Sequence, residues 1–434
     1  MSESGYPTIA VPTPPASLEA SGVPLPVLQE LLLKHLHPRG SASAEELCRE
    51  IRLPQAIIEE LLRSLDLAGL VLPVTSHAPD PVRYCPTSAG RNRACDAFAA
   101  SRYMGPAPVS LNDYLDQCRQ QRFDGTGITA DDLAQTLQGV VLDDTTLEEL
   151  QLAAASGGAL LLTGDSGNGK SLVAGRLAQL VEHSSEAIYV PYAVWTGDCC
   201  LRIFDPAIHH PLDSSPRIEE VTPACLAEGD ARWRKVRRPA IYRSLDLSPA
   251  EVRIAQPVSA ACPVAPFQVM ANGGILVLDD LGRHTSSFVE LMNRWILPLE
   301  DQSDLLTTVS GRRITLPVDA WLVFVAGPDA PAIPAPVIRR IMTRVELPAP
   351  DRDRFSAILL EEARRRRMEV EEGAVDQLFE GHYSPQSPPK CCDPKNLLQG
   401  VEALCRFHKE TVRARTDLLM AVAHRLRSPL TRAA

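Results

Sequence analysis

The chain has 434 residues, of which 45% are hydrophobic and 23% are charged, the composition of an ordinary folded protein. At roughly 100–200 residues per domain, this length predicts two to four domains. The net charge of −10 excludes general polyanion binding through overall charge, although it allows a local basic patch.

No segment resembles a membrane span or a targeting signal. The longest apolar runs, such as GALLLT and GGILVL, are too short to cross a bilayer. The N-terminal MSESGYPTIAVPTPP has neither a basic start nor an apolar signal core. We therefore expect a cytoplasmic protein without membrane insertion. The eleven cysteines include no C-x-x-C pair, and we expect reduced thiols.

The N-terminal sequence predicts a disordered Pro-rich leader (1–23) followed by a small domain (24–100). Apolar residues recur at helical spacing, and two short strands joined by the turn SHAPDP follow. The predicted helices cover 24–36, 41–51 and 54–70, and the strands lie within 71–94. Three helices followed by a two-stranded wing resemble a winged helix-turn-helix domain.

The charges of this domain do not favour DNA binding. Its third helix carries Glu59, Glu60 and Asp66 against a single Arg63. Residues 24–100 hold eight Lys and Arg against nine Asp and Glu, whereas phosphate neutralisation supplies most non-specific affinity. The best remaining DNA contacts on the predicted wing are Arg83, Arg91 and Arg93. We favour contact with protein or ring assembly, and DNA binding stays as the alternative.

After a predicted connector (101–126), an α/β core is predicted over 127–350 and contains a phosphate-binding loop. The apolar strand ALLLT (159–163) leads into GDSGNGKS (164–171) and then into an amphipathic helix. The motif G-x-x-x-x-G-K-S is specific for phosphate binding when it follows a strand and precedes a helix, as it does here. The predicted nucleotide-binding residues are Gly164, Asp165, Ser166, Gly167, Asn168, Gly169, Lys170, Ser171 and Leu172.

Each part of the loop has a chemical task. Backbone N–H groups and the helix N-terminus attract phosphate oxygens. Lys170 is expected to reach the β- and γ-phosphates, and the Ser171 hydroxyl to ligate Mg²⁺. A second apolar strand, GGILVLDDLGR (273–283), ends in two acids. A parallel strand beside the loop would bring Asp279 to the Mg²⁺ as a Walker-B carboxylate. ATP and Mg²⁺ are thus the predicted ligands.

The order of these motifs resembles the AAA+ ATPases, within the P-loop NTPases. The phosphate loop, the Asp-Asp strand, DAWLVFVAG (319–327), APVIRRIMTRVELPAP (335–350) and a helical tail carry the resemblance. More narrowly, the chain is similar to a bacterial subgroup with an N-terminal winged helix. The resemblance implies a mostly parallel α/β core and a helical lid with a C-terminal tail over 351–434.

The resemblance also implies auxiliary residues, and three of them depart from the usual pattern. Asp280 stands where the family usually has a Glu that polarises the attacking water. Pro328 stands where an Asn is expected, with Asp329 as a substitute, and Lys395 replaces the usual lid Arg. Proline offers no side-chain hydrogen bond, and lysine no bidentate fork. We therefore expect intact nucleotide binding and slow hydrolysis.

The segment VIRRI (337–341) matches the position of an arginine finger. Arg339 or Arg340, with Arg344 as a third option, would act on a neighbouring subunit's nucleotide; the alternative is an ordinary solvated helix end. A finger implies a head-to-tail homo-oligomer, either a ring or a helix.

Three further segments remain. RWRKVRR (232–238) has five cations and a Trp, typical of a channel loop, or of a solvated face paired with Glu228 and Asp230. The segment 305–317 predicts a hairpin with its turn at Ser310–Gly311, and the run RRRR (364–367) predicts a solvated helix face. Three functions stay open: a ring ATPase that remodels a protein partner, an ATP-gated DNA-binding protein, and a nucleotide-binding assembly subunit with little hydrolysis.

Overall fold

The computed structural model describes residues 9–74, 81–126, 128–184, 186–212, 229–244, 262–281, 288–308, 310–384 and 386–427. In the N-terminal part, four helices surround a three-stranded antiparallel sheet of order β1-β3-β2. The elements are α1 (Leu25–Arg39), β1 (Ala42–Ser43), α2 (Ala44–Ile51), α3 (Gln55–Leu67), β2 (Val71–Val74), β3 (Arg83–Pro86) and α4 (Ser88–Ala100). The predicted turn SHAPDP lies almost wholly outside the described residues.

The three predicted helices are present, and α2 begins as its sequence indicates. The Ser43 hydroxyl accepts the backbone N–H of Glu46 at 3.2 Å, while the Glu46 carboxylate accepts the backbone N–H of Ser43 at 2.9 Å. This reciprocal capping box satisfies two N–H groups that would otherwise lack partners.

Two expectations for this part are wrong. Arg91 and Arg93 lie on α4, which the sequence analysis missed, and not on a wing. Residues 9–23 are not a disordered leader, because they pack on the rest of the chain. Asp230 donates its backbone N–H to the carbonyl of Pro12 at 2.8 Å, and Val23 is buried in the N-terminal core. Residues 1–8 lie outside the described part.

The middle of the chain holds most of the strands. The predicted connector contains a ten-residue helix, and Tyr114 and Cys118 on that helix are buried in the main core. The elements are β4 (Val109–Ser110), α5 (Leu111–Gln120), α6 (Ala130–Thr136), α7 (Asp144–Ser156), β5 (Leu160–Thr163), α8 (Lys170–Glu182), β6 (Ala187–Pro191), β7 (Ala193–Trp195), β8 (Cys200–Arg202), β9 (Trp233–Arg237), β10 (Ala240–Arg243), α9 (Phe267–Met270), β11 (Ile275–Leu281), α10 (Phe288–Asn293), α11 (Ile296–Asp301), β12 (Ser303–Thr307), β13 (Arg313–Pro317), β14 (Trp321–Ala326), α12 (Ala335–Ile338) and β15 (Thr343–Glu346).

A five-stranded parallel sheet of order β10-β11-β14-β5-β15 organises this core. All six residues of β14 are buried, and its sequence WLVFVA is continuously apolar because both faces of the strand are covered. The predicted α/β class with a mostly parallel sheet is confirmed. Strand β11, with the two acids, is separated from β5 by β14, yet the carboxyl ends of these strands share one edge.

The basic segment 232–238 is not a channel loop. Its strand β9 pairs with β6 in antiparallel register, and Trp233 is buried. Arg232 is buried in an ion pair with Asp230, and Arg238 is buried and ion-paired with Glu186. The hairpin β12–β13 is confirmed.

The C-terminal part is helical and has its own core. Phe355 and Leu359 of its first helix are buried in that core. Its elements are α13 (Arg352–Arg366), β16 (Glu369–Val370), α14 (Ala374–Gly381), α15 (Asp393–His408), β17 (Arg413–Ala414) and α16 (Thr416–Arg427). Among the described residues, no helix is both long and apolar enough for a membrane span.

Candidate nucleotide-binding site

The phosphate-binding loop joins the end of β5 to the start of α8, in the strand–loop–helix order that the motif requires. Gly164 has φ +130°, and a Cβ at this position would overlap the carbonyl of Leu347. Gly167 has φ +94°, and a Cβ there would lie 2.7 Å from Cys392 Sγ. Glycine at both positions lets the backbone curl against its neighbours.

Lys170, the first residue of α8, spans the loop. Its Nζ donates hydrogen bonds to the carbonyl oxygens of Gly164 at 2.8 Å and Asp165 at 2.9 Å. The side chain is buried at the loop while Ser171 and Leu172 beside it are exposed. The ammonium is therefore held by the loop that the motif predicts as a phosphate cradle.

Asn168 differs from the other loop residues because its side chain points away from the cleft. It is buried, and Asn168 Nδ2 donates to the carbonyl of Leu347 at 3.3 Å. Its backbone N–H donates to the carbonyl of Asp165 at 3.3 Å. In this structure Asn168 fixes the loop to the end of β15, which is a positioning task.

The two acids stand at the carboxyl end of β11, on a bulge. The register of β11 against β14 shifts between Leu278 and Leu281, and Asp280 has φ +54°. A left-handed backbone costs a non-glycine residue roughly 1 kcal/mol or more, and such strain concentrates at functional sites. Asp279 is buried, and its Oδ1 accepts the backbone N–H of Asp280 at 2.7 Å.

Tyr242 of β10 contacts the same acid. Its hydroxyl donates a hydrogen bond to Asp279 Oδ2, and the Ser171 side chain lies next to the same phenol. Burial and the neighbouring Asp279 carboxylate raise the pKa of Tyr242. One phenol therefore connects the phosphate-loop helix with the acidic strand.

The phosphate-binding motif and the two acids line one cleft of about 680 Å³, large enough for a small-molecule ligand. The cleft brings together nine of the predicted site residues: Ser166, Gly167, Gly169, Lys170, Ser171, Leu172, Asp279, Asp280 and Lys395. Pro328 and Asp329, which follow β14, also line it. Gly164, Asp165 and Asn168 of the same loop do not line the cleft.

The helical C-terminal part closes one side of the cleft. Glu362 and Arg365 of α13 and Lys395 of α15 line it. The guanidinium of Arg365 also lies against Gly139. Arg365 belongs to the run that was predicted to be solvated; its side chain is 51% exposed, as expected, but it also lines the cleft. The thiols of Cys391 and Cys392 also line the cleft, and burial raises the pKa of both.

The finger candidates lie outside the cleft. Arg340 pairs with Glu300 at 2.5 Å and donates to the carbonyl of Pro336 at 2.7 Å, and Arg344 donates to the carbonyl of Ile338. Arg339 is exposed, and no described residue is hydrogen-bonded to its side chain. Of the three finger candidates, Arg339 is thus the one most available to another molecule.

The candidate DNA contacts are engaged within the chain. Arg83 pairs with Glu46 at 3.1 Å, and Arg93 pairs with Glu30 at 2.6 Å. Arg91 donates to the carbonyl of Pro86 at 2.8 Å.

Sequence reasoning missed Tyr242 and Arg365. Tyr242 stands in a short strand without a motif, and nothing in its local sequence indicates a partner 37 residues away. The signal for Arg365 was hidden within four consecutive arginines, where only the helical phase separates the residue that faces the cleft from its neighbours.

Comparison with known proteins gives low similarities. Residues 351–425 match a family described as "Domain of unknown function (DUF8689)". No curated protein matches the chain. The structure is similar to NtrX from Brucella abortus in complex with ATP, at 15% identity and a TM-score of 0.40, over 68% of this chain and 60% of that one.

A second similarity is to Thermotoga maritima RuvB, described as a Holliday junction branch migration motor. It has 14% identity and a TM-score of 0.36, over 68% of this chain and 73% of RuvB. At these TM-scores, neither protein's activity is transferred to this chain.

Proposed function

We propose that this chain is an AAA+ ATPase that binds ATP with Mg²⁺. The observation that carries the proposal is the convergence of a complete G-x-x-x-x-G-K-S loop with a buried strand-end acid in one cleft. Lys170 and the loop amides would hold the phosphates, with the start of α8 adding its positive end. Lid residues Arg365 and Lys395 would approach from the opposite wall.

The residues present fit a magnesium ion. Ser171 and Asp279 line the same cleft and both lie next to the Tyr242 phenol, so the two side chains are close together. Both are hard oxygen donors, as Mg²⁺ prefers. Asp279 is buried, and no Lys, Arg or His of the described residues forms an ion pair with it. A bound Mg²⁺ would neutralise charge on the phosphates during transfer.

Hydrolysis would depend on Asp280, whose strained backbone places it at the cleft. A water-polarising acid with one methylene fewer than Glu, and Pro328 in place of an amide, favour slow turnover. Pro328 also favours a second candidate function, a nucleotide-binding assembly subunit with little hydrolysis. In both cases binding of ATP is the primary event.

The active site would be shared between copies of the chain. Arg339 is exposed and lies outside the cleft of its own chain, as a residue acting on a neighbour's nucleotide must. Such a contact is head-to-tail and closes into a ring or extends as a helix. The conformational change would remodel or gate a protein partner.

The N-terminal part would act as a winged-helix adaptor for protein. Its three candidate arginines have partners within the chain, which reduces the cations available to DNA phosphates. An ATP-regulated DNA-binding protein is the alternative. Titrating duplex and single-stranded DNA at two salt concentrations separates the two, because phosphate contacts weaken steeply with salt.

The test of the enzymatic proposal is ATP turnover across a range of protein concentrations. We expect turnover per subunit to rise with concentration, and Asp280→Asn and Arg339→Ala to abolish it. Mixing the two inactive variants should restore part of the activity, because each supplies what the other lacks. The control is Arg119→Ala on exposed α5 surface. If wild type never exceeds Asp280→Asn, the assembly-subunit function is favoured instead.

A further inference from the structure

The hydroxyl of Tyr242 lies between Ser171 and Asp279. It donates to Asp279 Oδ2, and the Ser171 side chain lies next to the same phenol. No sequence motif predicts this contact. The phenol therefore touches both side chains that the proposed function assigns to the metal.

The contact answers an electrostatic need of Asp279. A buried carboxylate is costly unless hydrogen bonds or a cation compensate it. One of its oxygens accepts the backbone N–H of Asp280, and the other accepts the Tyr242 hydroxyl. In the metal-free protein the phenol thus supplies the compensation that a cation would otherwise provide.

The same geometry makes the phenol and the metal mutually exclusive at this point. The phenol oxygen contacts Asp279 Oδ2 and lies next to the Ser171 side chain, where an ion shared by these two side chains would sit. Mg²⁺ binds its ligands at about 2.0–2.1 Å, directly or through its own waters. An ion or its water joining these two side chains therefore has to take the place of the phenol oxygen.

The Tyr242 side chain can move away from Asp279. It stands on β10, the edge strand of the five-stranded sheet, and 41% of the residue is exposed. Its ring can turn toward solvent without crossing a packed core. The strand itself stays anchored, because Ile241 beside it is buried.

We propose that Tyr242 is a positioning residue that competes with the metal: its hydroxyl holds Ser171 and Asp279 together and is displaced when the metal binds with the nucleotide. This inference rests on the proposed function. It assigns Tyr242 a task that is separate from phosphate binding and from water activation. Removal of the hydroxyl leaves Asp279 without its second donor and ready for a cation.

The test is metal affinity, measured with Mn²⁺ by electron paramagnetic resonance on protein saturated with a non-hydrolysable ATP analogue. Tyr242→Phe should lower the Kd for Mn²⁺ by about tenfold, since a hydrogen bond to a charged group no longer has to be broken. Tyr189→Phe is the matched control, because the Tyr189 hydroxyl has no hydrogen bond to Asp279 such as Tyr242 makes, and it should leave the Kd unchanged. Asp279→Asn should weaken Mn²⁺ binding strongly.

A second readout follows the phenol itself. Adding Mg²⁺ and the analogue should give a tyrosine ultraviolet difference spectrum in wild type and in Tyr189→Phe, and this signal should be lost in Tyr242→Phe. An equal or higher Mn²⁺ Kd in Tyr242→Phe would overturn the inference. Analogue binding without metal is measured first: if wild type does not bind the analogue, the proposed function fails too, whereas normal analogue binding confines the failure to Tyr242.

Discussion

The backbone N–H of Cys392 donates a hydrogen bond of 2.9 Å to the carbonyl oxygen of Gly167. The helical C-terminal part is therefore joined directly to the phosphate loop, and the thiol of Cys392 lies over the glycine. A rearrangement of the loop would therefore act directly on the helical C-terminal part through this hydrogen bond.

This contact predicts the effect of Gly167→Ala. The new Cβ would lie 2.7 Å from Cys392 Sγ on a backbone with φ +94°, so the loop or the lid has to shift. We expect ATP affinity to fall at least about tenfold, because the loop amides would no longer converge. The matched control is Gly175→Ala within α8, where a Cβ meets nothing within 4 Å. That variant should keep its affinity and gain about 0.5–1 kcal/mol of stability. Equal ATP affinity of both variants would contradict the role of the lid contact.

The second prediction concerns Arg365. Replacing it with Gln removes a cation that lines the cleft, and we expect a loss of about tenfold in ATP affinity, as for a charge-assisted hydrogen bond. Arg364→Gln is the control, because Arg364 is highly exposed and pairs with Glu361 on the same helix. Fluorescence titration with a labelled ATP analogue measures both. Unchanged affinity in Arg365→Gln would leave Lys395 as the only predicted lid cation for the nucleotide.

A third prediction tests the structural role of the basic segment. The Asp230 and Arg232 side chains are only 2% and 3% exposed, so Arg232→Met leaves a buried carboxylate without its partner. We expect a loss of about 3–5 kcal/mol in the free energy of unfolding, measured with urea. Lys235→Met, at an exposed position of the strand β9 that follows Arg232, should change it little. A stable Arg232→Met variant with a selective loss of partner binding would revive the channel-loop interpretation.

The fourth prediction is a pH dependence of stability. His209 is fully buried; its Nδ1 accepts the backbone N–H of Asp205 at 3.0 Å and its Nε2 donates to the carbonyl of Met270 at 3.0 Å. Burial lowers the pKa of His209 below its unfolded value near 6.5. The unfolded chain therefore binds the extra proton first.

Stability from neutral His209 is complete above about pH 6.5 and is lost as the pH falls toward the folded pKa. In that window the slope contributed is at most about 1.4 kcal/mol per pH unit. When the free energy of unfolding is measured with urea between pH 7 and 5.5, it should fall less steeply for His209→Gln than for wild type. The exposed His408→Gln should follow wild type. Parallel curves for all three proteins would show that His209 does not titrate on unfolding.

The sequence predicted the parts of the site that depend on local order. The loop around Lys170 is one contiguous motif, and Asp279 follows a continuous apolar strand, so both were predictable from spacing alone. The sequence shows which segments contain Asn168 and Arg232. It does not show that their side chains are buried, because that burial depends on residues far away in the sequence.

The contacts of Tyr242 and Cys392 could not be predicted, because they join elements from three separate parts of the chain. Helix α4 was missed because the Pro86 and Gly90 that flank its first turn resemble a turn, while Thr87 in fact caps the helix by accepting the Gly90 N–H at 3.0 Å. The local sequence pattern predicts the phosphate loop, whereas the residues that surround it are determined by tertiary packing.

The most direct measurement is calorimetric titration of ATP into wild type and Lys170→Ala, with Mg²⁺ present. The ammonium of Lys170 is held at the loop by two carbonyls, and its removal should abolish or greatly weaken binding while the protein stays folded. We predict saturable binding with one ATP per wild-type chain and no comparable heat from Lys170→Ala. Identical titrations of the two proteins would contradict the account.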